Sequence, residues 1–176
     1  MDTKAIRLVL FDVDGVLTDG TLYIGPDGEV LKAFNAKDGV AVSLLKKHGI
    51  EVGVISGKAS KALDFRIKQL GIDYTITGCS NKLSALNLLI KKTKYKFDQI
   101  AFVGDDIIDI EVMKKVGLGM APSDAHQLAI EAADYVCLAK GGRGVARESA
   151  EYILMNSGLS FEDMYAEMVG YYEINQ

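Results

Sequence analysis

The stretch LVLFDVDGVLT, residues 8–18, decides how the chain folds and where its chemistry lies. Leu8 to Phe11 form a short apolar run without alternation, which is typical of a strand buried on both faces of a parallel sheet. Asp12 and Asp14 follow at the point where such a strand leaves the core. Ligands bind beyond the carboxyl ends of strands in open α/β sheets, so the pair predicts a functional site there.

Two neighbouring carboxylates repel each other unless a cation or a proton relieves them. Carboxylate and carbonyl oxygens are the ligands that suit Mg²⁺. A calcium loop would need a glutamate at its twelfth position, where a count from Asp12 finds Tyr23, so we set that loop aside. A solvated turn stays open on these residues alone, because Asp-x-Asp-Gly favours turns.

The composition is that of one globular domain, residues 1–176, with 49% hydrophobic and 25% charged residues. The net charge of −4 argues against a nucleic-acid partner. No apolar run approaches the roughly 20 residues of a membrane-spanning helix. The N-terminus lacks the pattern of a signal peptide, so we expect a cytoplasmic protein without a membrane partner.

Strand-like and helix-like segments alternate along the chain, which predicts an α/β fold: a Rossmann-like parallel sheet with helices on both faces. A β-hairpin flap, residues 20–35, interrupts this alternation around the turn Gly25-Pro26-Asp27-Gly28. The tail, residues 159–176, predicts a short amphipathic helix with a loose end. The strand candidates are Ile6–Phe11, Ile50–Ile55, Tyr74–Thr77, Ile100–Val103 and Tyr135–Leu138. The helix candidates are Asp38–His48, Ser60–Leu70, Asn81–Thr93, Asp109–Val116, Asp124–Ala132 and Arg143–Met155.

Polar residues follow two further strand candidates. Ser56 and Gly57 come after the second, and a hydroxyl and an amide at such a turn can bind a phosphate oxygen. Asp105 and Asp106 come after the fourth, with Asp109 three residues on. Each group also has an ordinary reading, as a turn or as an acidic helix start.

Lys82 opens a predicted helix, and taken alone it is most simply a surface lysine. All carboxyl ends of a parallel sheet lie on one edge, however, so Asp12, Ser56 and Asp105 converge there, with Lys82 beside them. Acids, a hydroxyl and an amine in one place predict a site for a phosphate and Mg²⁺.

The segments DVDGVLT, VISG, Lys82 and GDDIID, in this order, resemble the four motifs of the haloacid dehalogenase-like phosphatases. The hairpin and the stretches KAFNAKDG, QLGIDYTITGCSNK and KGGRGVARE resemble the capless branch that acts on phosphorylated eight-carbon keto-sugar acids. Phosphatases of nine-carbon keto-sugar acid 9-phosphates share this frame and remain an alternative. A non-catalytic module that binds Mg²⁺ and a sugar phosphate is a second alternative.

The resemblance implies a Mg²⁺-dependent phosphomonoesterase acting on a small acidic sugar phosphate. It implies that Asp12 is the nucleophile and Asp14 the proton donor and acceptor. It also implies a metal bound by Asp12, Asp14 (through its carbonyl) and Asp105, outer partners Asp106 and Asp109, and phosphate ligands Ser56, Gly57 and Lys82.

Two cations are candidate substrate readers. Lys58 stands where the eight-carbon branch usually carries arginine. It keeps the positive charge but lacks the two-pronged guanidinium that binds a carboxylate through two hydrogen bonds. Arg143, in the GGRG segment, favours the eight-carbon branch. The resemblance further implies a homotetramer in which the hairpins associate and a neighbouring subunit helps to close each site.

Overall fold

A computed structural model describes residues 3–174, and its centre is one six-stranded sheet. The strands are β1 (Leu8–Phe11), β4 (Glu51–Ile55), β5 (Tyr74–Ile76), β6 (Ile100–Val103), β7 (Leu118–Ala121) and β8 (Tyr135–Val136). The strand order is β5-β4-β1-β6-β7-β8, and every neighbouring pair is parallel. The predicted fold class is therefore confirmed.

Helices cover both faces of the sheet, because consecutive strand residues point to opposite sides. The helices are α1 (Ala36–Lys47), α2 (Lys61–Leu70), α3 (Lys82–Thr93), α4 (Ile110–Met113), α5 (Gln127–Ala132), α6 (Val145–Asn156) and α7 (Phe161–Ile174). Val9 and Phe11 pack in the core cluster beneath α1, α2 and α6, whereas Leu8 and Leu10 pack in the cluster beneath α3, α4 and α5.

The helix boundaries follow local capping chemistry. Asn35, Ser60 and Asn81 each precede a helix and accept a backbone N–H of its first turn. Gly71 ends α2 in the left-handed conformation, at φ 64°. These signals explain why α1, α2 and α3 lie within two residues of their predicted bounds.

The predicted hairpin is present as β2 (Tyr23–Gly25) and β3 (Gly28–Leu31), an antiparallel pair separate from the main sheet. It leaves the chain directly after the loop that carries Asp12 and Asp14 and returns at the start of α1. The flap thus lies beside the carboxyl edge of the sheet, where the sequence places the site.

Strand β7 and helices α4 and α5 differ most from the sequence prediction. Helix α5 begins at Gln127, three residues after its predicted start. The strand β7 was missed, because a run containing glycine and alanine has weak strand propensity, although all of β7 is buried. The predicted helix Asp109–Val116 is shorter, with a 3₁₀ turn at Ile107–Asp109 and one α-helical turn, α4. The tail forms α7 as predicted up to Ile174, and the last two residues lie outside the described range.

A glycine pair locks the loop after β1. A Cβ atom on Gly141 would lie 1.9 Å from the carbonyl oxygen of Gly15, so only glycine fits there. The amide of Gly142 donates to the carbonyl oxygen of Val16 at 2.8 Å. The GGRG segment therefore holds the backbone of the loop that carries both aspartates.

Candidate active site

Asp12 continues the central strand β1 into the site. Its amide donates to the carbonyl oxygen of Val103 at 2.9 Å, which extends the β1–β6 pairing by one residue. The residue is buried, with 5% of its surface exposed. Asp14 is half-buried and lines the cleft at this edge of the sheet. The sheet thus fixes the backbone of the nucleophile candidate, as the position after a buried strand predicts.

Lys82 is a buried lysine that binds two carboxylates. Its Nζ lies 2.8 Å from Oδ2 of Asp12 and 2.6 Å from Oδ1 of Asp109. The three side chains are between 0% and 7% exposed. Because an ammonium carries three donors, one stays available for a ligand in the cleft.

Asp109 organises the acidic loop after β6. Its second oxygen, Oδ2, accepts the amides of Asp105 and Asp106 at 3.1 and 3.2 Å. Both oxygens of Asp109 are thus engaged by Lys82 and by the loop. Asp109 is therefore better suited to positioning Asp105 than to serving as a direct metal ligand.

The residues present fit a divalent cation. Carboxylate oxygens of Asp12, Asp105 and Asp109 lie within 4.8 Å of one another. Oδ1 of Asp105 is buried without a hydrogen-bond partner, which is costly for a carboxylate unless a cation engages it. Gly15 makes room for that carboxylate, because a Cβ there would lie 2.0 Å from Oδ2 of Asp105. The donor set is all oxygen, which suits a hard cation.

The electrostatics of the site also favour a bound cation. Burial raises the pKa of Asp12, and the neighbouring Lys82 works against that rise. Burial also raises the pKa of Asp105, and the charges of Asp12 and Asp109 add to the rise. A positive ion among these groups would favour their ionised forms, since an opposite charge lowers a carboxyl pKa.

The phosphate-binding candidates line the same cleft. Ser56 follows β4, and its Oγ accepts the amide of Lys58 at 3.2 Å, which leaves the hydroxyl hydrogen to donate elsewhere. The cleft has a volume of about 290 Å³. Its lining residues are Asp12, Asp14, Ser56, Gly57, Lys58, Lys82, Asp105, Asp106 and Ile108.

The two substrate-reader candidates lie in different places. Lys58 is exposed and lines the cleft. Arg143 is outside the lining, with a side chain that is 71% exposed and 3.9 Å from the carboxylate of Asp19. The structure thus brings Lys58 together with the acidic residues and leaves Arg143 at the outer surface.

Sequence reasoning missed two flap residues that reach the site. Lys32, directly after β3, places its Nζ 2.5 Å from Oδ1 of Asp14 and 3.0 Å from Oε2 of Glu29. Burial alone would lower the pKa of Lys32, but its hydrogen bonds to Asp14 and Glu29 outweigh burial and raise it. Lys32 begins the segment KAFNAKDG, yet no local pattern indicates which distant acid it meets.

Comparisons with known proteins identify relatives of this chain. A family model described as haloacid dehalogenase-like hydrolase matches residues 76–148. The 3-deoxy-D-manno-octulosonate 8-phosphate phosphatase KdsC of Escherichia coli is 46% identical over 153 residues, which are 87% of this chain and 81% of the relative.

Two solved structures extend the comparison. The crystal structure of 3-deoxy-D-manno-octulosonate 8-phosphate phosphatase from Yersinia pestis has a TM-score of 0.85 and 43% identity, covering 89% of this chain and 84% of its own. The enzyme of this name from Moraxella catarrhalis, in complex with a magnesium ion, a phosphate ion and KDO, has a TM-score of 0.88 and 33% identity, with coverages of 97% and 95%. The chain belongs to the haloacid dehalogenase-like hydrolases, in the family of the 3-deoxy-D-manno-octulosonate 8-phosphate phosphatases.

Proposed function

We propose that the protein is a Mg²⁺-dependent phosphatase that hydrolyses 3-deoxy-D-manno-octulosonate 8-phosphate through an aspartyl-phosphate. The observation that carries the proposal is the single cleft in which Asp12, Asp14, Lys82 and Asp105 meet. The similarity to the octulosonate phosphatases over most of the chain supports the substrate.

The chemistry follows from the positions of the two aspartates. Asp12, fixed at the end of β1, attacks phosphorus and forms an aspartyl-phosphate while the bond to the sugar oxygen breaks. Asp14 gives its proton to that leaving oxygen and later takes a proton from the water that hydrolyses the intermediate. Lys82 beside Asp12 helps to keep the nucleophile ionised, because its charge favours the carboxylate form.

The residues that would hold Mg²⁺ are Asp12, the carbonyl of Asp14, and Asp105. When bound, the ion supplies positive charge that offsets the repulsion between the phosphate and the carboxylates. Asp106, exposed at the rim, and Asp109, buried behind the loop, would act as its outer partners. The hydroxyl of Ser56, the amide of Gly57 and the ammonium of Lys82 would bind the remaining phosphate oxygens.

Selection of an acidic sugar needs a cation away from the phosphate. Lys58 follows the phosphate-binding turn and lines the cleft, so it can meet a substrate group beyond the phosphorus. Arg143, which is exposed and lies 3.9 Å from the carboxylate of Asp19, would contact the substrate at the outer rim.

The test compares catalytic efficiency on the octulosonate 8-phosphate, a nine-carbon keto-sugar acid 9-phosphate and a neutral sugar phosphate, each with Mg²⁺. We expect the octulosonate to be preferred, and Arg143→Ala to raise KM for it more than for the neutral substrate. Preference for the nine-carbon compound would establish the alternative substrate. Absence of phosphate release from all three would indicate a binding module.

We also propose that the chain works as a homotetramer held together by its flaps. The hairpin exposes Leu22, Ile24 and Val30, which are 42%, 66% and 62% accessible. An exposed apolar surface of this kind is typical of an interface between subunits. Light scattering should give about four chain masses. Ile24→Asp should dissociate the assembly, whereas Leu138→Asp, at an 89% exposed position outside the flap, should leave it intact.

Within the described residues, no helix is both long and apolar enough to cross a bilayer. A cytoplasmic location and a single domain spanning residues 1–176 stay predictions.

A further inference from the structure

The flap places a buried cation against the proton donor. The ammonium of Lys32 contacts Oδ1 of Asp14 and Oε2 of Glu29, and the Lys32 side chain is only 2% exposed. The Asp14 and Glu29 side chains are 22% and 15% exposed. Exposed ion pairs are mobile and contribute little, but a lysine buried to this degree has few positions available.

The contact joins two separate parts of the fold. Asp14 lies in the loop after β1, and Lys32 and Glu29 lie on or next to β3 of the flap. Glu29 and Lys32 are three residues apart, and the acid gives the lysine a second partner that fixes the direction of its ammonium. Glu29, which belongs to the flap, thus stabilises the contact between Lys32 and Asp14.

We infer that Lys32 is a positioning residue for Asp14 and that Glu29 holds Lys32 in place for this task. The inference rests on the proposed phosphatase function and adds a role for the flap of the same chain. The ammonium of Lys32 holds Oδ1 of Asp14, so the other oxygen, Oδ2, is left to face the leaving group. Lys32 therefore selects which oxygen faces the leaving group.

The proton accounting leaves Lys32 unchanged. As Asp12 attacks phosphorus, the electron pair of the breaking P–O bond goes to the sugar oxygen, which takes the proton from Oδ2 of Asp14. Hydrolysis of the aspartyl-phosphate by water returns a proton to Asp14 and releases phosphate. Lys32 stays an ammonium in both steps and only restricts rotation of the Asp14 carboxyl group. Without it, either oxygen can face the substrate, and the proton is presented less often in a productive direction.

The test uses two leaving groups. The leaving group departs as the aspartyl-phosphate forms, and kcat/KM reports this step without the later hydrolysis, which needs Asp14 for both substrates. A sugar alkoxide needs a proton to leave, whereas p-nitrophenolate leaves without one, so in this step only the sugar phosphate depends on a well-placed Asp14. We expect Lys32→Met to lower kcat/KM on the octulosonate 8-phosphate by about 10²-fold, the lower end of general acid–base contributions, and kcat/KM on p-nitrophenyl phosphate by less than about threefold. Lys32→Arg should recover part of the loss. Lys37→Met, at an exposed position near the flap, is the matched control and should leave both rates unchanged.

Two outcomes overturn the inference. An equal fall in kcat/KM on both substrates would mean that Lys32 only supports the structure. A rise in KM with kcat retained would make Lys32 a substrate ligand. If Lys32→Met fails to fold, Glu29→Gln takes its place and should show the same split between leaving groups, to a smaller extent. A wild type active on p-nitrophenyl phosphate but inactive on the sugar acid would contradict the proposed substrate alone, and the comparison would then use a neutral sugar phosphate.

Discussion

The replacement of Lys82 by methionine tests the buried ion cluster most directly. Methionine keeps an unbranched apolar side chain and removes the charge that Asp12 and Asp109 share at 2.8 and 2.6 Å. Removing one partner of a buried ion pair costs about 3–5 kcal/mol, because the remaining charge loses its compensation. We therefore expect the free energy of unfolding to fall by that amount at neutral pH in the presence of chelator.

The assay is urea unfolding followed by circular dichroism, at one fixed chain concentration. The double variant Lys82→Met, Asp109→Asn should regain part of the loss, because it removes one of the two uncompensated charges. Lys91→Met, an exposed position on the same helix, is the control and should change stability by no more than about 0.5 kcal/mol. A loss below about 1 kcal/mol for Lys82→Met would refute the claim that Lys82 neutralises this cluster.

Three further predictions concern turnover, metal and pH. Asp12→Asn should abolish phosphate release while circular dichroism shows an intact fold, since it removes the nucleophile and one of several crowded carboxylates. Chelator should abolish activity, and Mg²⁺, Mn²⁺ or Co²⁺ should restore it, because the donor set is all oxygen; full activity after dialysis against chelator would contradict the mechanism. Burial raises the pKa of Asp38 from 3.8 to about 6, so the folded protein binds this proton more tightly than the unfolded chain and stability falls as pH rises through that window. From pH 4 to pH 7, the free energy of unfolding of Asp38→Asn should therefore rise relative to that of the wild type by up to about 3 kcal/mol. If the difference in urea midpoint between the variant and the wild type is the same at both pH values, this prediction is wrong.

The sequence predicts the sheet well because the fold follows from local patterns. Buried strands such as β1 are continuous apolar runs, and the helices between them begin at capping residues such as Ser60. The strand β7 escapes this reasoning because its core position comes from its neighbours β6 and β8 rather than from its own propensities.

The site was predictable to the extent that it lies at strand ends. Asp12, Ser56 and Asp105 meet in one cleft because parallel strands share a carboxyl edge. The contact between Lys32 and Asp14 was not predictable, since it depends on how the flap folds back over the loop after β1. Arg143 was placed by resemblance, and its exposed position reflects the packing of the GGRG backbone against Gly15 and Thr18.

The position of β1 at the centre of the sheet has a consequence for synthesis of the chain. Its neighbours are β4 and β6, with Leu8 paired to both Glu51 and Ile100. At translation rates of about 5–20 residues per second, β6 follows β1 by roughly 5–18 s. During that time the most apolar strand leaves the ribosome with an open edge on one or both sides, and it is the segment that holding chaperones would meet first. Slower translation between residues 12 and 100 should therefore lower the yield of folded protein more than slower translation after residue 121.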